Sequence, residues 1–251
     1  MQVFGTSDVG RKRSLNEDNF SVSALDSIVV AVVCDGMGGA KAGEVASRIA
    51  CKRFAETIVP RLKEIKEKIT DRAEFIISVN RAISLASDTS NTEVYSRSSS
   101  DNSLSGMGTT LSGCVIIDDI LWTFNIGDSR VYHITDDDCI QLTVDHSFVQ
   151  SLLDAGKITQ EEAQNHPNKN VILRALGIQK GVECDIQHTD LSSGYYLICS
   201  DGLSNYFDKE DFIKIITSGR ELRDKVERLV SYANEKGGSD NITVVLIDTQ
   251  K

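Results

Sequence analysis

The most distinctive pattern in the chain is an uninterrupted apolar run, rich in β-branched residues, that ends in an acid. Residues 28–34 read Ile-Val-Val-Ala-Val-Val-Cys, and Asp35 follows directly. A continuous apolar run of this length predicts a strand buried on both faces. The pattern recurs at residues 195–199, which Ser200 separates from Asp201. We therefore expect two buried strands that each deliver a carboxylate to the edge of the core.

Other apolar stretches predict further strands. The chain has a short strand-like start near Phe4, and the alternation over residues 20–25 is typical of a half-buried strand. The Asp118-Asp119 pair predicts a turn between the strands at residues 111–117 and 121–126. The remaining predicted strands cover residues 111–117, 121–126, 131–134, 182–188 and 242–247.

Stretches with helical spacing come in blocks between the strands. Residues 42–59 carry apolar side chains at helical intervals, and Pro60 predicts the end of that helix or a kink. A capping-box pattern opens a short helix at Thr159. Other predicted helices cover residues 62–87, 148–153, 209–217 and 222–234. Because strands and helices occur in blocks and not in strict alternation, we predict an α+β fold with helices packed outside antiparallel sheets.

Residues 89–105 interrupt this pattern, because they are poor in apolar side chains and rich in serine. Such a composition is compatible with an interdomain linker. The strand-end acids Asp35 and Asp201 lie on opposite sides of the stretch. We therefore favour a mobile loop inside one domain.

The composition restricts the classes of function. The chain has 251 residues and a formal net charge of −10, which argues against a nucleic-acid-binding surface because phosphate backbones are held by clustered Lys and Arg. We see no signal peptide and no apolar run long enough to cross a bilayer, so we expect a cytoplasmic protein. The cysteines form no C-x-x-C pair and have no histidine at zinc-finger spacing, which makes structural zinc an unsuitable assignment.

Six acidic residues stand at or near predicted strand ends and would form an all-oxygen cluster if the fold brings them together. Closely packed carboxylates raise one another's pKa, and a hard divalent cation removes that conflict. Oxygen-only coordination suits Mg²⁺ or Mn²⁺ better than zinc or copper. The acids are Glu17, Asp18, Asp35, Asp128, Asp201 and Asp240.

Such a centre has a specific chemical use. Two metal ions bridged by one carboxylate lower the pKa of a shared water, which can then attack phosphorus in line. Arg13, five residues before Asp18, can grip a phosphate through its planar fork of donors. Taken alone, the charged segment around Arg13 is equally compatible with a solvated loop, and a single Asp-Gly pair with an ordinary turn.

Seven short motifs occur in a fixed order along the chain. They are Arg13-x-x-x-Glu17-Asp18, Asp35-Gly36-Met37-Gly38-Gly39, Gly108-Thr109-Thr110, Gly127-Asp128-Ser129-Arg130, Asp145-His146-Ser147, Ser200-Asp201-Gly202 and Asp240-Asn241. This set resembles the metal-dependent protein serine/threonine phosphatases of the PPM family, type 2C, and most of all their compact bacterial members. The resemblance spans about residues 4–247.

The resemblance implies a β-sandwich of two antiparallel sheets flanked by helices, with the metal centre in a cleft at one edge. It implies a single catalytic domain over residues 1–251, with a flap at about residues 146–176 that lies beside the cleft.

The resemblance also assigns roles to individual residues. Asp35 would bridge two metal ions, and the Gly36 carbonyl would bind one of them. Asp201 and Asp240 would complete the other site. Asp128, together with Asp201, would hold a weaker third ion.

The remaining roles concern water and substrate. Glu17 and Asp18 would act largely through water molecules, and Arg13 would bind the substrate phosphate. Arg13, Asp18 and Asp35 are thus the expected catalytic residues. Animal-type members carry a histidine where this chain has Met37, which has no proton to give to the leaving alcohol, so that role stays unassigned. His146 is better explained as a local hydrogen-bonding residue than as the acid.

The function that follows is Mg²⁺- or Mn²⁺-dependent hydrolysis of phosphoserine and phosphothreonine in proteins, which reverses protein kinase signalling. The expected partners are phosphorylated proteins, including Ser/Thr kinases and their substrates, and neither nucleic acid nor membrane. We expect a monomer. A catalytically silent relative that binds phosphoproteins is the alternative from another class. A nucleotide-binding loop is disfavoured, because residues 36–41 fit neither glycine-rich phosphate motif.

Overall fold

Two antiparallel sheets lie face to face at the centre of the protein, and helices cover the outer face of each. The computed structural model describes residues 1–38 and 42–250. Gly39, the last glycine of the predicted Asp35 motif, lies outside the described residues, as do Ala40 and Lys41 of the disfavoured nucleotide loop.

The strands of the described chain are divided between the two sheets. They are β1 (Gln2–Asp8), β2 (Asp18–Leu25), β3 (Ile28–Met37), β4 (Gly108–Thr109), β5 (Leu111–Ile117), β6 (Ile120–Ile126), β7 (Arg130–Ile134), β8 (Cys139–Gln141), β9 (Asp185–Asp190), β10 (Tyr195–Cys199) and β11 (Ile242–Asp248). One sheet has the order β1-β11-β10-β7-β8 and the other β2-β3-β5-β6-β9, with β4 paired to the end of β3.

The helices lie outside this sandwich. They are α1 (Ala42–Lys68), α2 (Arg72–Ser100), α3 (Phe148–Asp154), α4 (Gln160–Gln164), α5 (Asp201–Ser204), α6 (Lys209–Ile216) and α7 (Leu222–Glu235). α1 and α2 cover the β3 sheet, and α5, α6 and α7 cover the β10 sheet. The predicted α+β sandwich is therefore confirmed. Among the described residues, no helix is both long enough and apolar enough to cross a bilayer.

Strand β3 contributes to two apolar layers, which explains its unbroken apolar sequence. Val29, Ala31 and Val33 pack between the two sheets, whereas Val30 and Val32 pack against the helices. Successive side chains of a strand point to opposite faces, so a central strand covered on both sides must be apolar throughout. Its acid therefore appears only where the strand leaves the core.

Helix α1 continues through Pro60, and the predicted end there is wrong. The buried positions Phe54, Ile58 and Leu62 keep helical spacing on both sides of the proline, and Pro60 itself faces solvent. The apolar contacts of these residues with the core outweigh the one hydrogen bond that proline removes.

The predicted mobile loop at residues 89–105 is also wrong, as is the predicted end of the second helix near residue 87. Helix α2 extends to Ser100, and a short 3₁₀ turn follows at Asn102–Leu104. The buried side of the extension is largely polar. The Asn91 amide donates to the carbonyls of Gln179 and Lys180 at 3.0 and 3.1 Å and accepts from the Gly177 N–H at 2.8 Å. The spacing of apolar residues therefore could not predict this extension of α2.

Smaller differences lie at the sheet edges. Strand β9 spans Asp185–Asp190 and begins three residues later than predicted, and β8 is an unpredicted edge strand. All six cysteines are unpaired. Cys34, Cys114 and Cys199 are fully buried within apolar layers.

We predict that Gly113→Ala lowers the free energy of unfolding by about 3 kcal/mol, the upper range for overpacking a core. Gly113 lies in β5 opposite Val32. An added Cβ would overlap the carbonyl oxygen of Ala31 and lie 2.7 Å from Cζ of Phe124. Urea unfolding measures the change. Gly219→Ala is the matched control, because its Cβ meets nothing within 4 Å. Equal stability of the two variants would contradict this packing.

Candidate metal centre

The pairing of β2 with β3 places the first two predicted ligands side by side. Asp18 lies directly opposite Asp35 in the antiparallel register. Facing residues in such a pair have Cβ atoms about 4.5–5.5 Å apart. Asp18 is only 6% exposed. The main chain therefore holds two acids together, and one of them, Asp18, is almost fully shielded from water.

The main chain at Asp35 is fixed by the two threonines of the Gly108-Thr109-Thr110 motif. The Asp35 N–H donates to Thr110 Oγ1 at 2.8 Å. The Asp35 carbonyl accepts from the Thr109 hydroxyl and from the Thr110 N–H, both at 2.9 Å. Thr110 also shares a hydrogen bond of 2.8 Å with Ser129, which follows Asp128. The motif therefore links the strand ends that carry Asp35 and Asp128.

Ser200 joins the second sheet to the same cluster. Its hydroxyl donates to Asp18 Oδ2 at 2.7 Å and accepts from the Thr243 N–H at 3.0 Å. Asp201 follows as the first residue of α5, and its Oδ2 accepts from the Asn205 amide at 3.2 Å. The ends of β10 and β2 are thus tied together across the sandwich.

Asn241 fastens the N-terminal loop to the start of β11. Its Oδ1 accepts from the Glu17 N–H at 2.8 Å. Its Nδ2 donates to the carbonyls of Val9 and Leu15 at 3.0 and 2.9 Å. The loop that carries Arg13 and Glu17 is therefore held against the residue next to Asp240.

Arg13 contacts a predicted metal ligand directly. Its Nη2 donates to Asp240 Oδ2 at 2.8 Å, and the Arg13 side chain is 50% exposed. The hydrogen bond with Asp240 raises the Arg13 pKa, and the charges of Asp240, Glu17 and Asp201 act in the same direction. Arg13 thus supplies positive charge at the edge of the acid cluster.

Gly36 and Glu17 meet the first turn of α1. A Cβ on Gly36 would overlap the carbonyl oxygen of Gly43, so no side chain fits at Gly36. The Gly36 N–H donates to the Glu17 carbonyl at 3.1 Å. Burial raises the Glu17 pKa, although a hydrogen bond from the Gly43 main chain to the carboxylate lowers it.

Four acids of the cluster have raised pKa values. Loss of hydration is the largest cause for each one, and the neighbouring carboxylates add to it. The pKa of Asp18 rises to about 7, that of Asp128 to about 8 and that of Asp201 to about 6. The Asp35 pKa rises well above its usual range.

Two observations test whether these residues fit a metal ion. Oδ1 of Asp18 and Oδ1 of Asp128 are buried and have no hydrogen-bond partner. Within residues 1–38 and 42–250, no three His, Cys, Asp or Glu side chains are arranged to hold one ion. The fit therefore rests on the orphaned oxygens and the all-oxygen donor set, and both suit a hard divalent cation.

All eight residues predicted for the site lie in this one region. Asp35 interacts electrostatically with Asp18, Asp128, Asp201 and Asp240, and Arg13 interacts with Glu17, Asp201 and Asp240. Gly36 follows Asp35 at the end of β3.

Two other named residues have local roles. The Gly127 N–H donates to Nδ1 of His146 at 3.1 Å, which leaves the ring proton on Nε2 facing Asp185 at 3.2 Å. His146 therefore acts as a hydrogen-bonding residue. The Met37 methyl group and Ile178 Cδ1 both lie against Gly108.

A buried ion pair supports the strand that follows Asp128. Arg130 Nε donates to Asp145 Oδ1 at 2.9 Å, and Arg130 Nη2 donates to Asp145 Oδ2 at 2.7 Å. Gln141 adds a hydrogen bond of 3.0 Å to Asp145 Oδ1. This pair accounts for Arg130 and Asp145, two motif residues without an assigned role.

Sequence reasoning missed the residues that hold the acids in place. Thr109, Thr110, Ser200 and Asn241 appeared in the motifs but received no function. Their position beside the acids was the available signal. Their partners lie in distant parts of the chain, so their hydrogen bonds could not be predicted before the fold was known.

Comparisons with known proteins agree with this geometry. Residues 5–246 match the sequence family described as Protein phosphatase 2C. The "Serine/threonine phosphatase stp" of Listeria innocua is 39% identical over 245 residues, which cover 96% of this chain and 93% of the relative.

Solved structures are also similar. The serine/threonine phosphatase Stp1 from Staphylococcus aureus superposes with a TM-score of 0.88 at 28% identity, covering 100% of this chain and 95% of that one. The catalytic domain of the serine threonine protein phosphatase PstP, in complex with two manganese ions, has a TM-score of 0.80 at 32% identity. That comparison covers 100% of this chain and 98% of PstP.

We predict that the metal-free protein loses stability as the pH rises from about 5 to about 8.5. The folded state holds protons on Asp18, Asp128 and Asp201 up to pKa values of about 7, 8 and 6, whereas the unfolded chain releases them near pH 4. The folded state therefore binds more protons across this range, and its stability must fall. Urea unfolding of metal-stripped protein at several pH values measures the trend.

The controls separate this effect from general alkaline sensitivity. Asp128→Asn imitates the protonated acid and should flatten the fall above pH 7. Mn²⁺ favours the ionised acids and should therefore reduce the dependence of stability on pH over the whole range. A metal-free protein with rising stability over this range would contradict the assignment.

Proposed function

Because this chain belongs to the protein phosphatase 2C family, we propose that it removes phosphate from phosphoserine and phosphothreonine in proteins, using Mn²⁺ or Mg²⁺. The observation that carries the proposal is the buried carboxylate cluster beside a half-exposed arginine. The cluster has unsatisfied acid oxygens, which is the arrangement that a divalent cation completes. Within this family we propose that residues 1–251 form one catalytic domain.

The proposed ligands are the residues that the family resemblance implies, and they lie at or next to strand ends. Asp35 and the Gly36 carbonyl would hold metal at the end of β3, and Asp201 and Asp240 would complete the pair of sites. Asp128 would join Asp201 at a weaker third site. When bound, the ions would lower the pKa of a water molecule and offset the negative charge of the phosphate.

The acid cluster also shapes the reaction through its own residues. Asp18 lies opposite Asp35 and is held by the Ser200 hydroxyl. Glu17 is positioned by Asn241, whose Oδ1 accepts the Glu17 main-chain N–H. These contacts support the proposal that both acids orient water molecules near the proposed ligands.

We propose that Arg13 binds the substrate phosphate. It pairs with Asp240 in this structure, and its side chain is half exposed. A cation bound by Asp240 competes with the guanidinium for the same carboxylate. We propose that Arg13 then turns its donors to the phosphate, which it can bind through two hydrogen bonds.

Neither Met37 nor His146 suits the role of proton donor. Met37 carries no acidic proton. The Nδ1 atom of His146 accepts a main-chain hydrogen bond, and its Nε2–H donates to Asp185. We therefore assign the protonation of the leaving alcohol to neither residue.

The wider setting remains a set of predictions. We propose that the protein opposes a Ser/Thr protein kinase, acts as a monomer and works in the cytoplasm. Size-exclusion chromatography with light scattering tests the oligomeric state, and fractionation of cells tests the location.

We predict that metal-stripped protein hydrolyses neither a phosphothreonine peptide nor p-nitrophenyl phosphate, and that Mn²⁺ or Mg²⁺ restores both activities. Asp35→Asn and Asp201→Asn should lower kcat/KM about a thousandfold or more, which corresponds to about 4 kcal/mol of barrier. Each substitution removes a charge from a proposed ligand.

Asp224→Asn is the matched control, since Asp224 is exposed on α7. Near-normal rates in either active-site variant would refute the ligand assignment. Inactivity of the wild-type protein with metal bound, as measured by calorimetry, would favour the silent phosphoprotein-binding alternative.

We predict that Arg13→Ala raises KM for a phosphothreonine peptide about tenfold or more, because a charge-assisted bidentate contact is lost, with a smaller change in kcat. Steady-state kinetics and competition by inorganic phosphate measure the effect. Lys12→Ala is the matched control for a neighbouring exposed cation. An unchanged KM with a collapsed kcat would contradict the phosphate-binding role.

A further inference from the structure

A groove leads outward from the acid cluster between the flap and the chain that follows Asp201. Asp128 and Asp201 lie at its inner end, and its volume is about 620 Å³. Leu153 and Lys169 line it on the flap side, and Phe207 and Lys236 line it on the other side. A phosphorylated side chain that reaches the acids would therefore leave most of the groove to the polypeptide around it.

The flap wall of this groove is firmly attached at its base. Leu176 and Thr109 exchange two main-chain hydrogen bonds of 2.9 and 3.1 Å. The His146 N–H donates to the Gly127 carbonyl at 2.8 Å. These bonds join the two ends of the flap to residues beside the acids, so the groove keeps its position relative to the reacting phosphate.

The wall opposite the flap is built from packed aromatic rings. Tyr132 and Phe207 stack with their centroids 5.2 Å apart, and Phe207 meets Phe212 edge to face at 4.9 Å. Phe207 is 36% exposed and forms an apolar surface in the groove. This wall therefore presents a packed aromatic surface to a chain that enters the groove.

The acidic side chains that line the groove differ from its two lysines in their partners. Asp145 is paired with Arg130, and Asp208 accepts the Asp211 N–H at 3.0 Å as the cap of α6. Lys169 and Lys236, by contrast, form no ion pair with any carboxylate in the described parts of the chain.

Both lysines line the groove, Lys169 from the flap and Lys236 from the end of α7. Metal ions at the inner end would neutralise Asp128 and Asp201. The outer part would then carry a net positive charge on a protein whose overall formal charge is −10. Such a local reversal of sign favours an anionic group in the groove.

We propose that the groove receives the polypeptide flanking the phosphorylated residue and that Lys169 and Lys236 select substrates with an acidic side chain there. The proposal rests on the phosphatase function above and adds a substrate preference to it. The two lysines are specificity residues, because they contact the flanking chain and not the reacting phosphate.

The test uses phosphothreonine peptides of one neutral background, assayed with the metal-loaded, full-length protein. One set carries a single Glu at each position within three residues of the phosphothreonine, and a matched set carries Lys. We expect at least one Glu peptide to exceed its Lys partner about five- to tenfold in kcat/KM, the size expected for one or two exposed ion pairs. The preference should shrink in 0.5 M salt.

The variants assign that preference to the two lysines. The double variant Lys169→Ala and Lys236→Ala should bring the ratio of kcat/KM for the Glu peptide to that for the Lys peptide within about twofold of one. The double variant Lys169→Arg and Lys236→Arg should keep the wild-type ratio. Lys157→Ala is the matched control, because Lys157 lies in the flap but does not line the groove. All variants should hydrolyse p-nitrophenyl phosphate at the wild-type rate.

The outcomes separate this inference from the proposed function. Failure to hydrolyse any phosphothreonine peptide in the presence of metal would overturn the proposed function. Hydrolysis without a Glu preference, or with a preference that survives the double Ala substitution, would overturn the groove assignment and leave the phosphatase function intact.

Discussion

The structure is organised around carboxylates held close together where water cannot fully hydrate them. Asp18, Asp35, Asp128 and Asp201 each bear a raised pKa, chiefly because burial removes water from the charged form. Such a cluster is unfavourable by itself, because each ionised acid repels the others. The surrounding fold must therefore oppose that repulsion, and the same acids suit a divalent cation, which would remove it.

The sandwich opposes the repulsion by fixing the acids through its main chain. The β2–β3 register sets Asp18 opposite Asp35, and Ser200 ties Asp18 to the other sheet. Thr110 and Asn241 hold two further segments at the same edge. Because these bonds come from the ends of well-packed strands, the energy that stabilises the core also positions the acids.

The sequence predicted the parts of this design that are local. The apolar run before Asp35 reveals a central strand, since every position of that strand is covered. Pro60 misled the prediction, because a solvent-facing proline interrupts the pattern without interrupting the packing of Ile58 and Leu62. The serine-rich end of α2 was predicted as a loop because it lacks apolar side chains. It is helical because its buried face is polar, with Asn91 bonded to residues 177–180. Contacts between distant segments, such as the groove walls, leave no periodic signal.

The buried cysteine beside Asp35 has a consequence for reactions with oxidants. Cys34 is fully buried, and loss of hydration raises the pKa of its thiol well above the usual value. Burial raises the pKa values of the Cys114 and Cys199 thiols in the same way. Peroxides and alkylating reagents react with thiolates far faster than with thiols. The residue next to the proposed bridging acid therefore offers such reagents almost no thiolate, and the folded core protects this strand end from oxidative damage.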